Sequence, residues 1–169
     1  MKKINIILGV LMLVSFAVSC KKELPAGGTA VQSMAGDWWV RLDNGDPAGP
    51  FGDSYYNLST YNTAANKPDS MWVDDGNNAK SFWGVKGKVK IDVSGLTFTG
   101  SNVVNQYYQS TFSIANGKII HNGTKGPSSG VKTDSIYFEI QFSDDPVPGT
   151  IHKVMGYKRT DWQQDDHYN

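Results

Sequence analysis

A chain of 169 residues with a single cysteine, Cys20, can form no internal disulfide, so its fold must rest on a packed core. Neither charge is in excess: 16 Lys and Arg stand against 16 Asp and Glu. That balance gives no basic face of the kind nucleic acid demands. After residue 18 no stretch approaches the ~20 consecutive apolar residues of a spanning helix. Also missing are a Gly-rich phosphate fingerprint after a strand and any convincing apolar period of 3.6 residues. The histidines, His121, His152 and His167, have no metal-ligand spacing to one another. The sequence therefore leads us to expect no cofactor, no metal and no nucleic-acid partner.

What is present begins at the N-terminus. Lys2 and Lys3 precede an apolar run from Ile4 to Val18, which ends at the small residue Ser19 and at Cys20. A positive flank, a short apolar stretch and a small-residue junction make a secretory signal, too short for a membrane span. Phe16-Ala17-Val18-Ser19-Cys20 resembles the lipobox of bacterial lipoproteins. The resemblance implies removal of residues 1–19 and acylation of the Cys20 thiol. Two or more acyl chains anchor a protein stably to a membrane without spanning it. The expected location is the cell envelope, at the outer membrane on its periplasmic or surface face. Without residues 1–19, 14 basic and 16 acidic residues remain, a net charge near −2. Residues 20–34, including Lys21-Lys22-Glu23 and Gly27-Gly28, have no periodicity and read as a flexible tether.

Residues 35–169 read as one domain in which strand and turn alternate. In residues 83–93, Trp83, Val85, Val89, Ile91 and Val93 fall on one face, with Lys86, Lys88, Lys90 and Asp92 on the other. A period of two is a half-buried strand. Ile136, Phe138, Ile140 and Phe142 alternate with Tyr137, Glu139 and Gln141 in the same way. Asn116-Gly117 lies between two apolar segments, residues 111–114 and 118–120, and signals a two-residue hairpin turn. Weaker strands fall at residues 38–42, 55–61, 70–74, 96–99, 102–108 and 151–159. Long loops rich in Gly, Pro and Asp occupy residues 43–53 and 143–149. The pattern predicts an all-β fold of about 8–10 strands, an antiparallel barrel in preference to a sandwich, because closure removes exposed edges. A monomer is favoured.

Gly36-Asp37-Trp38 opens the first strand and Arg159 lies in the last. Lipocalins and the wider calycin group pair such a tryptophan with a late arginine that packs across its ring. The resemblance implies barrel closure by Gly36, Trp38 and Arg159. The segments Ala35-Gly36-Asp37-Trp38-Trp39-Val40, Asp69-Ser70-Met71-Trp72-Val73-Asp74-Asp75-Gly76, Phe82-Trp83-Gly84-Val85-Lys86-Gly87-Lys88-Val89 and Gly156-Tyr157-Lys158-Arg159-Thr160-Asp161-Trp162 together resemble a family of Bacteroidota lipoproteins described as lipid-binding putative hydrolases. That resemblance implies a calycin-like barrel and an apolar ligand such as a lipid or acyl chain. It brings no catalytic motif with it. The inward candidates for contact with such a ligand are Trp83, Val85, Val89, Phe98, Phe138 and Ile140.

Other motifs allow different readings. Gly126-Pro127-Ser128-Ser129-Gly130 fits the G-x-S-x-G pattern, with His121 and Asp134 nearby in sequence. A nucleophile elbow needs a strand, a strained turn and a helix, whereas this segment sits between β patterns, so Ser128 is a weak catalytic candidate. Asp74-Asp75-Gly76-Asn77-Asn78 carries oxygen ligands but lacks the alternation and distal Glu of a calcium loop. It reads more simply as a turn. Five tryptophans and eight tyrosines could fill a core, line a lipid pocket or bind glycans. The lysine row could be edge protection or a protein-contact face. A lipid or ester hydrolase, a glycan binder and an interaction module with a packed barrel are the alternatives to lipid binding.

Overall fold

Period-two patterning produces eight strands, each antiparallel to the next. A computed structural model describes residues 27–168, so Cys20 and residues 1–19 lie outside the described part. The strands are β1 (Gly36–Leu42), β2 (Tyr56–Asn62), β3 (Ser70–Asp74), β4 (Lys86–Asp92), β5 (Thr97–Val104), β6 (Thr111–Lys125), β7 (Lys132–Phe142) and β8 (His152–Lys158). They form a closed barrel in sequence order. The closing ladder joins β1 to β8 with Trp38 opposite Lys158 and Leu42 opposite Val154. No α-helix occurs among the described residues; short 3-10 turns lie at Gln32–Met34, Asp43–Gly45 and Gln163–Asp165.

Inward residues of every strand meet in one core that includes Trp38, Val40, Met71, Val89, Phe98 and Phe138. β7 follows its predicted alternation, with Ile136, Phe138, Ile140 and Phe142 buried. β4 is shorter than the period of residues 83–93 suggests. Gly84, at φ 80°, turns the chain before Lys86 and leaves Trp83 outside the ladder.

Asn116-Gly117 is not a hairpin. β6 runs through it as one strand of 15 residues, with a register shift between Ala115 and Lys118 and Asn116 at φ 55°. A type I′ turn needs positive φ at both central residues, and here Asn116 alone has it. The extra residues make a bulge that bends the strand. Asn122 (φ 53°) and Asn102 (φ 46°) mark two further register shifts, in β6 and β5. Asparagine tolerates the left-handed region better than most residues, so these positions curve the wall where the sequence suggests breaks.

Order also extends beyond the expected boundaries. Val31 and Met34, in the stretch read as tether, are fully buried. The carbonyl of Met34 accepts a hydrogen bond from Thr60 Oγ1 at 2.7 Å. Residues 159–168 are laid against the outside of the barrel. Trp39, which points outward from β1, is covered there by the edges of His167 and Tyr168, and its Nε1 donates to Asp166 at 3.0 Å. His167 stacks on Tyr55 with centroids 3.8 Å apart.

Candidate functional site

The inward candidates sit where the alternation puts them, but they pack against one another. Val85, Phe138 and Ile140 are fully buried, and Val89 and Phe98 retain 1 % exposure. Trp83 differs: it stacks on Phe142 (4.2 Å between centroids) and donates from Nε1 to Asp144 at 3.1 Å. It belongs to an aromatic plug at one mouth of the barrel.

That plug is held by a clasp the sequence does not reveal. His152 ends 4 % exposed at the start of β8, with Nδ1 2.7 Å from Asp43 and Nε2 2.8 Å from Asp145. Each ring nitrogen is thus within hydrogen-bond distance of a carboxylate oxygen. His152 thereby ties together the two long loops, residues 43–53 and 143–149. Phe51 from the first loop meets the imidazole edge-on at 4.9 Å. The His152 bond holds the Asp145 carboxyl below the usual carboxylate range.

An open groove of about 640 Å³ lies elsewhere, on the outer wall along β3, β4 and β5. Its lining includes Trp72, Lys88, Lys90, Val103, Val104 and Gln106. It follows a weak seam. β4 and β5 pair through Lys90↔Thr99, Ile91↔Phe98 and Asp92↔Thr97. Hydrogen bonding to β4 resumes just past the end of β5, where Gln106 N–H reaches the Lys86 carbonyl at 2.8 Å and Lys86 N–H reaches the Asn105 side chain. Between these ends the Val103 side chain fills the gap beside Gly87 and Gly100. A Cβ at either glycine would come within 2.5 Å of it. Val104 stands 63 % exposed at the rim.

Lys86 borders this groove and is held fast. Its ammonium is 3.1 Å from Asp74 and lies 5.7 to 5.8 Å from the ring centres of Tyr61, Trp72 and Tyr107. Tyr61 and Tyr107 both donate to Asp74, at 2.6 and 2.7 Å. Burial and the Asp74 bond push the Tyr107 phenol up to about 12, while the bonds to Tyr61 and Asp74 push the Lys86 ammonium above its usual value. Lys88 and Lys90 are exposed, and neither has an ion-pair partner among the described residues.

The Asp74-Asp75 turn is spoken for by the protein itself. Asp75, 1 % exposed, accepts from the backbone N–H groups of Asn77, Trp83, Gly84 and Val85. Burial pushes its carboxyl up, and these four donors oppose that shift.

The serine loop does not assemble a triad. His121 meets Asp134 at 3.2 Å, but no histidine bonds to Ser128 or Ser129 among the described residues. Instead Asp165 caps the loop. It accepts from the N–H groups of Ser128 and Ser129 at 2.8 Å each, and from the hydroxyls of Ser129 and Thr160. Burial opposes ionisation there, yet these donors prevail and hold the carboxyl at about 2. A folded value below the unfolded one, near 3.9, means the contribution is complete above that value and vanishes as pH falls toward 2. We expect Asp165→Asn to remove about 2 kcal/mol at pH 7 and little at pH 2. Denaturant titrations at both pH values would check this.

Gly36, Trp38 and Arg159 gather at one side of the barrel, though not as the lipocalin resemblance implies. Trp38 is 1 % exposed and donates from Nε1 to Thr60 Oγ1 at 2.9 Å. The Arg159 guanidinium lies over Tyr168 (5.2 Å) and forks onto Asp166, with both bonds at 3.0 Å. Arg159 therefore secures the covering segment, and its backbone N–H joins β1 at the Asp37 carbonyl. Asp166 was available in the sequence as a nearer partner, since planar bidentate pairing with a carboxylate suits arginine.

No curated protein matches the chain significantly. A family described as lipid-binding putative hydrolase matches residues 23–163, which takes in all eight strands, the clasp, the seam and the first half of the covering segment. The chain belongs to that family, described as lipid-binding putative hydrolases.

Proposed function

We propose that this protein is an envelope lipoprotein, acylated on Cys20, whose barrel binds a lipid at the outer membrane. The observation that carries the reading is the match to a lipid-binding family along almost the whole closed barrel. The signal run and the lone cysteine at its junction support the anchor. The Ser128 and Ser129 loop does not support hydrolysis: its backbone N–H groups and the Ser129 hydroxyl are taken up by Asp165, and no histidine bonds to either serine among the described residues.

Two measurements test this. Cys20→Ala is expected to move the protein from washed membranes into the soluble fraction with an unchanged melting profile; retention would overturn the anchor. Residues 21–169, which include the whole barrel, are expected to retain lipid on purification, seen by native mass spectrometry and solvent extraction. A protein that carries no lipid and takes up none from extracted envelope lipids would overturn the binding reading.

A further inference from the structure

We propose that the groove along the β4–β5 seam holds one fatty-acid chain on the outside of the barrel, its carboxylate against Lys88 and Lys90 and its tail along Trp72, Val103 and Val104. This assignment rests on the lipid-binding reading above and specifies where and what it binds.

The lumen is filled by the protein's own side chains. Val85, Phe138 and Ile140 are fully buried and the neighbouring Val89 and Phe98 nearly so. A tail could enter only by displacing them, because interiors pack as densely as organic crystals. The seam requires no such displacement. Ladder pairing stops at Lys90↔Thr99 and contact resumes at Gln106 and Lys86; Val103 closes the floor between these ends, and over it an open groove of about 640 Å³ runs along the outer wall. From residue 99 to 104, β5 runs for roughly 17 Å at about 3.3 Å per residue. The slot follows this single seam and suits one extended chain rather than two.

Chemistry fixes the polarity. Lys88 and Lys90 are two apart on one strand, so both ammonium groups rise from the same outer face. Neither has a carboxylate partner among the described residues, whereas Lys86 is already neutralised by Asp74 inside its ring of aromatic side chains. No acidic residue lines the groove. Lys90, opposite Thr99, stands at one end of the groove and the exposed Val104 lies toward the other, with Lys88 between them across the ladder from Trp72; an anionic headgroup at the lysines and a hydrocarbon tail running toward Val104 match this order. The lysine row thus has a use beyond protecting an edge.

Dodecanoate and 1-dodecanol, which share a tail and differ in head charge, provide the probe. Residues 21–169 are expected to bind dodecanoate at least tenfold more tightly than the alcohol, by calorimetry and by quenching of tryptophan fluorescence. Lys88→Ala with Lys90→Ala should weaken dodecanoate at least tenfold and leave the alcohol nearly unchanged, while Val104→Asp should weaken both. All three positions are exposed, so melting profiles should stay within a few degrees of the parent. If dodecanoate or co-purified lipid binds equally to the parent and these variants, the groove assignment falls and lipid binding itself stands. If neither the parent nor its natural extract holds any lipid, both fall.

Discussion

Replacing His152 with alanine is expected to cost about 3–6 kcal/mol of stability, the loss of two hydrogen bonds to carboxylates at roughly 1.5–3 kcal/mol each. The imidazole faces two carboxylates at 2.7 and 2.8 Å. Without it, Asp43 and Asp145 would be left as like charges beneath the two long loops. Asp43 sits at φ 50°, a region costly for a non-glycine residue, and its other oxygen receives the Lys153 N–H at 2.9 Å. The clasp therefore also holds a strained turn in place. Guanidinium titration at pH 7 would read the loss. Adding Asp43→Asn and Asp145→Asn to the His152→Ala variant should restore part of it, because neutral amides no longer repel. A His152→Ala protein as stable as the parent would show that the loops close without the clasp.

Trp38→Ala should be of similar size, about 3–5 kcal/mol, the range for truncating a buried large aromatic. The indole is 1 % exposed in the core, and its N–H begins a relay through Thr60 Oγ1 to the Met34 carbonyl. Deletion would empty the wall between β1 and the residues that precede it. Trp38→Phe keeps most of the volume and should cost about 1 kcal/mol for the lost hydrogen bond. Equal losses for alanine and phenylalanine would show that the hydrogen bond, not the packing, matters at this position.

The sequence displayed the barrel well where burial is one-sided. β4 and β7 alternate because one face meets the core and the other meets water. The place of Trp38 on the first strand was readable from Gly36-Asp37-Trp38, although the partner of Arg159 was not: a motif names residues but not which carboxylate lies nearest in space. Asn116-Gly117 misled because positive φ serves bulges as well as turns, and the choice depends on whether a neighbouring strand continues alongside. Residues 160–168 carry no strand pattern, and their order comes from distant groups. Asp165 finds Ser128 and Ser129 some 36 residues away, and Asp166 finds Trp39 across 127. His152 and Asp43 are 109 apart, beyond any local pattern. The β4–β5 seam leaves almost no local trace, because it depends on pairing that fails to form rather than on a residue type.

Joining β8 to β1 sets the timing of assembly. Trp38 pairs with Lys158 across 120 residues of chain, so the entropy of closing that large ring must be met before its contacts repay it. Every other ladder joins neighbours and can form locally. Folding should thus proceed through an open meander whose ring closes late, at a rate limited by this one long-range ladder. Until it closes, β1 and β8 present unpaired edges and Trp39 lacks its cover, a state that associates readily with a second chain. The same ladder that removes edges from the native barrel makes dilute conditions the ones in which it is reached.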